Sequence, residues 1–121
     1  MNFDPNTLEQ SEIYKLLTGS IMPRPIGWVS TVDEKGINNL APFSYFNMVG
    51  DDPPHLMFST RRDNDTNKDT LNNILTNKQF VVNMVTEEVV EKMNETSQKV
   101  AAHIDEFQLV GVTPVASLKI K

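Results

Sequence analysis

The sequence contains no cysteine. That absence excludes a disulfide framework, a thiolate nucleophile, a thiolate-held iron–sulfur cluster and a cysteine zinc site. Histidine is almost as scarce. His55 and His103 are the only two, they stand in no HExxH arrangement, and a metal site built on them would need carboxylates that the spacing does not supply. No GxSxG nucleophile elbow is present. The five glycines, at 19, 27, 36, 50 and 111, form neither GxGxxG nor GxxxxGK, so both nucleotide fingerprints are missing. Basic residues are the minority sign, 11 against 16 acidic, for a net charge of -5. A field of that sign repels phosphates at long range and argues against a broad nucleic-acid or anionic-membrane surface, while leaving room for a local anion site. No apolar run approaches the ~20 residues that span a bilayer, and the first residues show no leader pattern, so the expected location is the cytoplasm.

What is present is the composition of one folded domain: 121 residues, 39% hydrophobic and 22% charged, with six Phe, two Tyr and one Trp. The pattern is mainly β with inserted helices. Leu8 to Leu17 has loose helical spacing, with Gly19 where a helix could stop. Pro23 and Pro25 push the stretch around Arg24 extended. Ile26 to Val32 reads as a strand, and Asp33-Glu34-Lys35-Gly36 as a hairpin tip whose last residue needs a positive φ. Ile37 to Val49 is the return run, interrupted at Pro42, which cannot donate to a ladder. After a turn at Gly50 to Pro54, His55 to Thr60 is a third strand, and Arg61 to Lys68 a polar loop. Leu71, Ile74 and Leu75 mark a helix face, and Phe80 to Val85 a strand buried on both sides. Thr86 caps a further helix that fades near Ser97. Val112 to Ile120 has strand alternation at Ala116, Leu118 and Ile120, making about five strands in all. Five strands are few for closing an antiparallel barrel, so an edge near Val112 to Ile120 needs covering, most simply by another subunit.

With no catalytic set of its own, such a domain either binds something or lends its shape to a cofactor. Three places suit a cofactor. In the first, Arg61, Arg62 and Lys68 precede a helix that begins near Asp69 or Thr70; free amides at a helix start, a hydroxyl and nearby cations would take a phosphate. A solvated loop with Asp69 as a plain N-cap fits the same residues. The second gathers Arg24, Trp28, Ser30 and Thr31, with Trp28 and Ser30 on one strand face and Thr31 on the other; taken alone, a core tryptophan on an ordinary strand is the simpler reading. The third is Asn39-Leu40-Ala41-Pro42-Phe43-Ser44, where a proline-broken strand leaves backbone groups for the edge of a planar heteroaromatic ring, or simply forms a bulged edge.

Taken in order, these segments resemble the flavin reductase-like family of FMN-binding split barrels, close to its flavoredoxin-type branch. The matching runs are Tyr14 to Ser20, Pro23 to Val32, Asn39 to Asn47, Asp52-Pro53-Pro54, Lys68-Asp69-Thr70 with Asn73-Ile74, Phe80-Val81-Val82-Asn83, and Asp105-Glu106-Phe107 to Thr113-Pro114. The resemblance implies an antiparallel, Greek-key-like split β-barrel that forms a homodimer with FMN near the subunit boundary. Electrons would arrive from NADH, NADPH or a protein donor and leave to a flavin, metal or protein acceptor. Under it, Ser30 and Thr31 with Lys68, Asp69 and Thr70 hold the ribityl phosphate. Asn39, Leu40, Ala41, Pro42, Phe43 and Ser44 line the isoalloxazine, Ser59 and Arg61 approach from the third strand, and Arg24 and Trp28 border the site. No side chain acts as acid or base, and no metal is needed. Similar proteins continue well past Pro114 with further strands, so the sequence corresponds to the N-terminal part of the usual domain, its barrel shortened or incomplete at the C-terminal end. Two other readings remain: a non-catalytic FMN electron-carrier module, and a truncated interaction domain without cofactor.

Overall fold

A computed structural model of the chain describes residues 2–61 and 66–120. Strands β1 (Gly27–Val32) and β2 (Asn38–Phe43) pair antiparallel, from Gly27 opposite Phe43 to Val32 opposite Asn38. The tip between them is closed by local chemistry. Asp33 Oδ1 accepts from the amides of Lys35 and Ile37, both at 2.8 Å, and Gly36 takes the positive φ of 84° expected of it. A short strand β5 (Val81–Asn83) pairs along the other side of β1, giving the order β2-β1-β5. Strands β3 (Phe46–Asp51) and β4 (Pro54–Phe58) form a separate two-stranded hairpin. It is anchored to the first sheet by the Phe58 ring, which lies 4.9 Å from that of Phe43 and 5.1 Å from that of Phe80. Gly27 permits a close approach here, because a Cβ at that position would come within 2.8 Å of the Phe46 ring.

Pro42 does not break the return strand. It lies inside β2, and the break falls two residues later, at Ser44 and Tyr45. The Leu40 amide explains this: it points away from β1 and donates to Glu106 Oε2. Pro42 shares that parity, so its nitrogen faces the outer edge, where a missing N–H costs no ladder bond.

Helix α1 (Gln10–Ser20) starts at a reciprocal cap between Glu9 and Glu12 and runs through Gly19 rather than stopping there. Helix α2 (Asp69–Asn77) ends at Lys78, which adopts a left-handed φ of 58°. Thr70, Asn73 and Asn77 fall on one face of α2 and clamp it to the sheet. Beyond Thr86 the expected helix divides into a 3₁₀ turn, Glu87–Val89, and α3 (Val90–Glu95). A last short helix, α4 (Glu106–Leu109), is capped by Asp105, whose Oδ1 accepts from the amides of Phe107 and Gln108. The core centres on Trp28, Leu40 and Phe107, with Val85, Val89, Met93 and Val112 packed around them.

Two strand expectations are corrected. Only Val81–Asn83 of the Phe80 to Val85 run pairs, its three residues are partly rather than fully buried, and Met84 is 79% exposed. Val112 to Ile120 forms no strand at all, and Leu118 is 99% exposed. Alternation alone does not make a strand where no neighbour accepts its ladder bonds.

Candidate functional site

The outer edge of β2, the start of α2, the 96–102 segment and the first residue of α4 enclose a cleft of about 550 Å³. Its walls bring together Asn39, Ala41 and Pro42 with Lys68, Asp69 and Thr70, two of the three stretches singled out in the sequence. A cleft of this size lies within the range that holds small ligands.

Hydrogen bonds between side chains set the geometry. Asn39 Nδ2 donates to Thr70 Oγ1 at 2.9 Å, with Thr70 1% exposed, so the second residue of α2 is locked to β2. One helical turn on, Asn73 Nδ2 donates to Thr31 Oγ1 at 3.0 Å, and a further turn on, Asn77 Nδ2 donates to the Val32 carbonyl at 2.6 Å. The start of α2 is thereby fixed to within the tolerance of a hydrogen bond. Lys68 occupies its N-cap position, where its own side chain makes no cap bond, and Asp69 is the first residue of the helix rather than the cap. Backbone donors of the first turn and the positive end of the helix dipole therefore adjoin the cleft. Lys68 Nζ stands 5.6 Å from the centroid of the buried Phe43 ring.

Glu106 forms the opposite wall. Its Oε2 accepts from the Leu40 amide at 3.2 Å, and the residue is 7% exposed. Burial pushes its carboxyl above the ordinary range of 4.5; hydrogen bonds from Leu40 and from its own backbone oppose the shift, and the nearby charges of Asp69 and Asp105 reinforce it. Thr96, also in the wall and buried, accepts from Trp28 Nε1 at 2.9 Å and donates to the Met93 carbonyl at 2.7 Å, which ties the cleft to the core.

The remaining expected residues lie elsewhere. Trp28, Ser30 and the Leu40 side chain face a second cavity of about 420 Å³, on whose wall Asn83 Nδ2 donates to Ser30 Oγ at 3.1 Å. Thr31 borders that cavity too, while its hydroxyl takes the bond from α2. Phe43 is buried against Phe58, and Ser44 is half-buried at the bend before β3. Ser59 is exposed, its amide donating to the Tyr45 carbonyl at 2.8 Å. The Arg61 guanidinium stacks 4.4 Å from the Tyr14 ring centroid. Arg24 caps the end of α1, with Nη1 donating to the Thr18 carbonyl at 2.8 Å and to that of Ile21, while its buried Nε has no partner among the described residues. Arg62 lies outside the described residues. Among the described residues no group of three or more His, Asp or Glu is placed to hold a metal ion, and no helix is long and apolar enough to cross a membrane.

Sequence reasoning missed Glu106, Thr96 and the 96–102 wall. Asp105-Glu106-Phe107 carries a helix-start signature, but nothing local says that Glu106 meets a strand residue 66 positions away.

Comparison with known proteins places this geometry in a family. An uncharacterized protein of Aquifex aeolicus is 49% identical over 122 residues, covering 100% of this chain and 62% of the relative. The crystal structure of nitrilotriacetate monooxygenase component B from Bacillus cereus superposes with a TM-score of 0.94 at 38% identity, covering 99% of this chain and 59% of that one. A putative flavin reductase with split barrel domain from Shewanella frigidimarina, 23% identical, shares the fold with a TM-score of 0.79 over 99% of this chain and 60% of its own. The chain thus has the split-barrel fold and spans about three-fifths of the length of these three proteins. The family described as flavin reductase like domain matches residues 18–121, and the chain belongs to it.

Proposed function

We propose that the cleft between β2 and α2 binds FMN and that the chain serves as an FMN-dependent oxidoreductase of the flavin reductase type, passing electrons from NADH or NADPH to a flavin or other acceptor. The observation that carries this reading is the meeting of Asn39 to Pro42 with Lys68 to Thr70 in one cleft. The donor set suits a phosphate: an ammonium, a hydroxyl and the first turn of a nine-residue helix whose N-cap side chain makes no cap bond. The edge of β2 suits a planar ring, since β2 is an outer strand of its sheet and presents backbone groups to the cleft. Bound there, FMN would supply the hydride and electron-transfer chemistry, while the chain binds, orients and shields it. The name of the Bacillus cereus protein, a monooxygenase component at 38% identity, agrees with an oxidoreductive role. We place the protein in the cytoplasm and, by the same family resemblance, in a homodimer.

Titration of stripped protein with FMN and with riboflavin, followed by flavin fluorescence, tests the reading. FMN is expected to bind saturably and well above riboflavin. Lys68→Ala with Thr70→Ala should weaken FMN by about 2–4 kcal/mol through loss of phosphate contacts. Equal binding of both flavins, or unchanged affinity in the variant, would remove the phosphate assignment. Oxidation of NADH or NADPH with added free flavin then separates an enzyme from a carrier that holds FMN without turnover.

A further inference from the structure

The carboxyl of Glu106 is an unexpected group to find facing an anion site. It lines the same cleft as Lys68, Asp69 and Thr70 and is 7% exposed. Two neighbouring residues of β2 hold the two sides of that cleft: Asn39 fixes the Thr70 hydroxyl at 2.9 Å, and the Leu40 amide fixes Glu106 Oε2 at 3.2 Å. The hydroxyl at the start of α2 and the carboxyl of α4 are therefore anchored from adjacent positions of one strand. Among the described residues, the charged groups around Glu106 are Lys68 and Asp69 from the α2 side, Lys99 from the 96–102 segment and Asp105 from its own element; β2 contributes none. Lys68 directs its Nζ over the Phe43 ring. Burial and the two aspartates raise the affinity of this carboxyl for a proton, against the pull of the Leu40 amide. An ionised Glu106 would repel a phosphate at the start of α2, whereas a neutral one can donate to it.

We propose that Glu106 is a residue of the ligand site itself: on entry of a phosphate-bearing ligand its carboxylate takes up one proton from solvent and donates a hydrogen bond to a phosphate oxygen. This rests on the flavin reading above. Proton uptake and ligand binding are then linked, and the carboxyl still accepts the Leu40 amide that holds it in place. The arrangement also selects among ligands, because a ligand without a phosphate gains nothing from the added proton.

Isothermal calorimetry of FMN and riboflavin binding, in two buffers of different ionisation enthalpy near neutral pH, counts the protons. The comparison is wild-type protein against Glu106→Gln, which keeps an acceptor for the Leu40 amide. Net uptake is expected for wild type with FMN, but not for the variant and not with riboflavin. Titration of the phosphate itself appears in both proteins and cancels in their difference. Relative to the variant, the wild-type Kd for FMN should rise with pH by at most about tenfold per unit, the limit for one linked proton. Equal proton counts in the two proteins, or equal uptake with riboflavin, would overturn the proposal. Should Glu106→Gln fail to fold, infrared difference spectra of the wild type decide: a protonated-carboxyl band gained on FMN binding supports it, and no such band overturns it. FMN that binds neither protein would instead overturn the flavin reading beneath it.

Discussion

Thr70 shows how one side chain sets the geometry of the whole cleft. Its hydroxyl is buried, accepts the Asn39 amide, and lies in the first turn of α2 beside Lys68. Thr70→Val keeps the shape and removes that acceptor, leaving a buried Asn39 amide unpaired. Urea or thermal unfolding should show a loss of about 1–3 kcal/mol. An unchanged midpoint would mean that the Asn39 bond does not order the helix start. Trp28 is a second residue with reach beyond its own strand, because Thr96 joins its indole to the cleft wall. In the sequence Trp28 was readable as a core residue or as a border of the site; it packs in the core, and its indole reaches the cleft wall through Thr96.

Among the elements, α2 is positioned almost entirely by polar side chains. Thr70, Asn73 and Asn77 face the sheet, and each meets a different partner on β1 or β2. The helix ends at Lys78 in the left-handed region, where a residue with a Cβ is strained by roughly 1–2 kcal/mol. Lys78→Gly should therefore stabilise the chain by about 0.5–1 kcal/mol after the entropy of a more mobile unfolded glycine is subtracted, readable as a raised unfolding midpoint. A lowered midpoint would contradict that. The β1 hairpin and α2 were legible in advance because their determinants are local: the Asp33 carboxylate with Gly36, and the helical repeat of Leu71, Ile74 and Leu75. The place where β2 ends was not, since Pro42 is tolerated only because its nitrogen faces the outer edge, a fact of pairing. Val112 to Ile120 failed for the matching reason: its alternation is present, and among the described residues no strand lies beside it. The candidate cleft was half legible. Its β2 and α2 walls carry family wording, whereas Thr96 and Glu106 join it through contacts 68 and 66 residues apart.

At the scale of the whole molecule, two small sheets leave much apolar surface uncovered. Leu17, Ile21 and Met22 around the end of α1, and Met48, Val49, Leu56 and Met57 on the β3–β4 hairpin, are each about half exposed or more. Surface of that kind is usually covered by a partner, and the proposed homodimer would cover it. Sedimentation velocity should show a dimer at micromolar concentration, and a clean monomer at high concentration would contradict it.

The central claim is that one cleft, walled by β2 and the start of α2, takes FMN with its phosphate at Lys68 to Thr70. The most direct measurement is an amide-resolved NMR titration of the labelled chain with FMN and with riboflavin. The account predicts that FMN shifts the resonances of Asn39, Ala41, Asp69 and Thr70 first, and that riboflavin leaves those of Asp69 and Thr70 in place. Shifts confined to the second cavity, at Ser30, Val81 and Asn83, would contradict it.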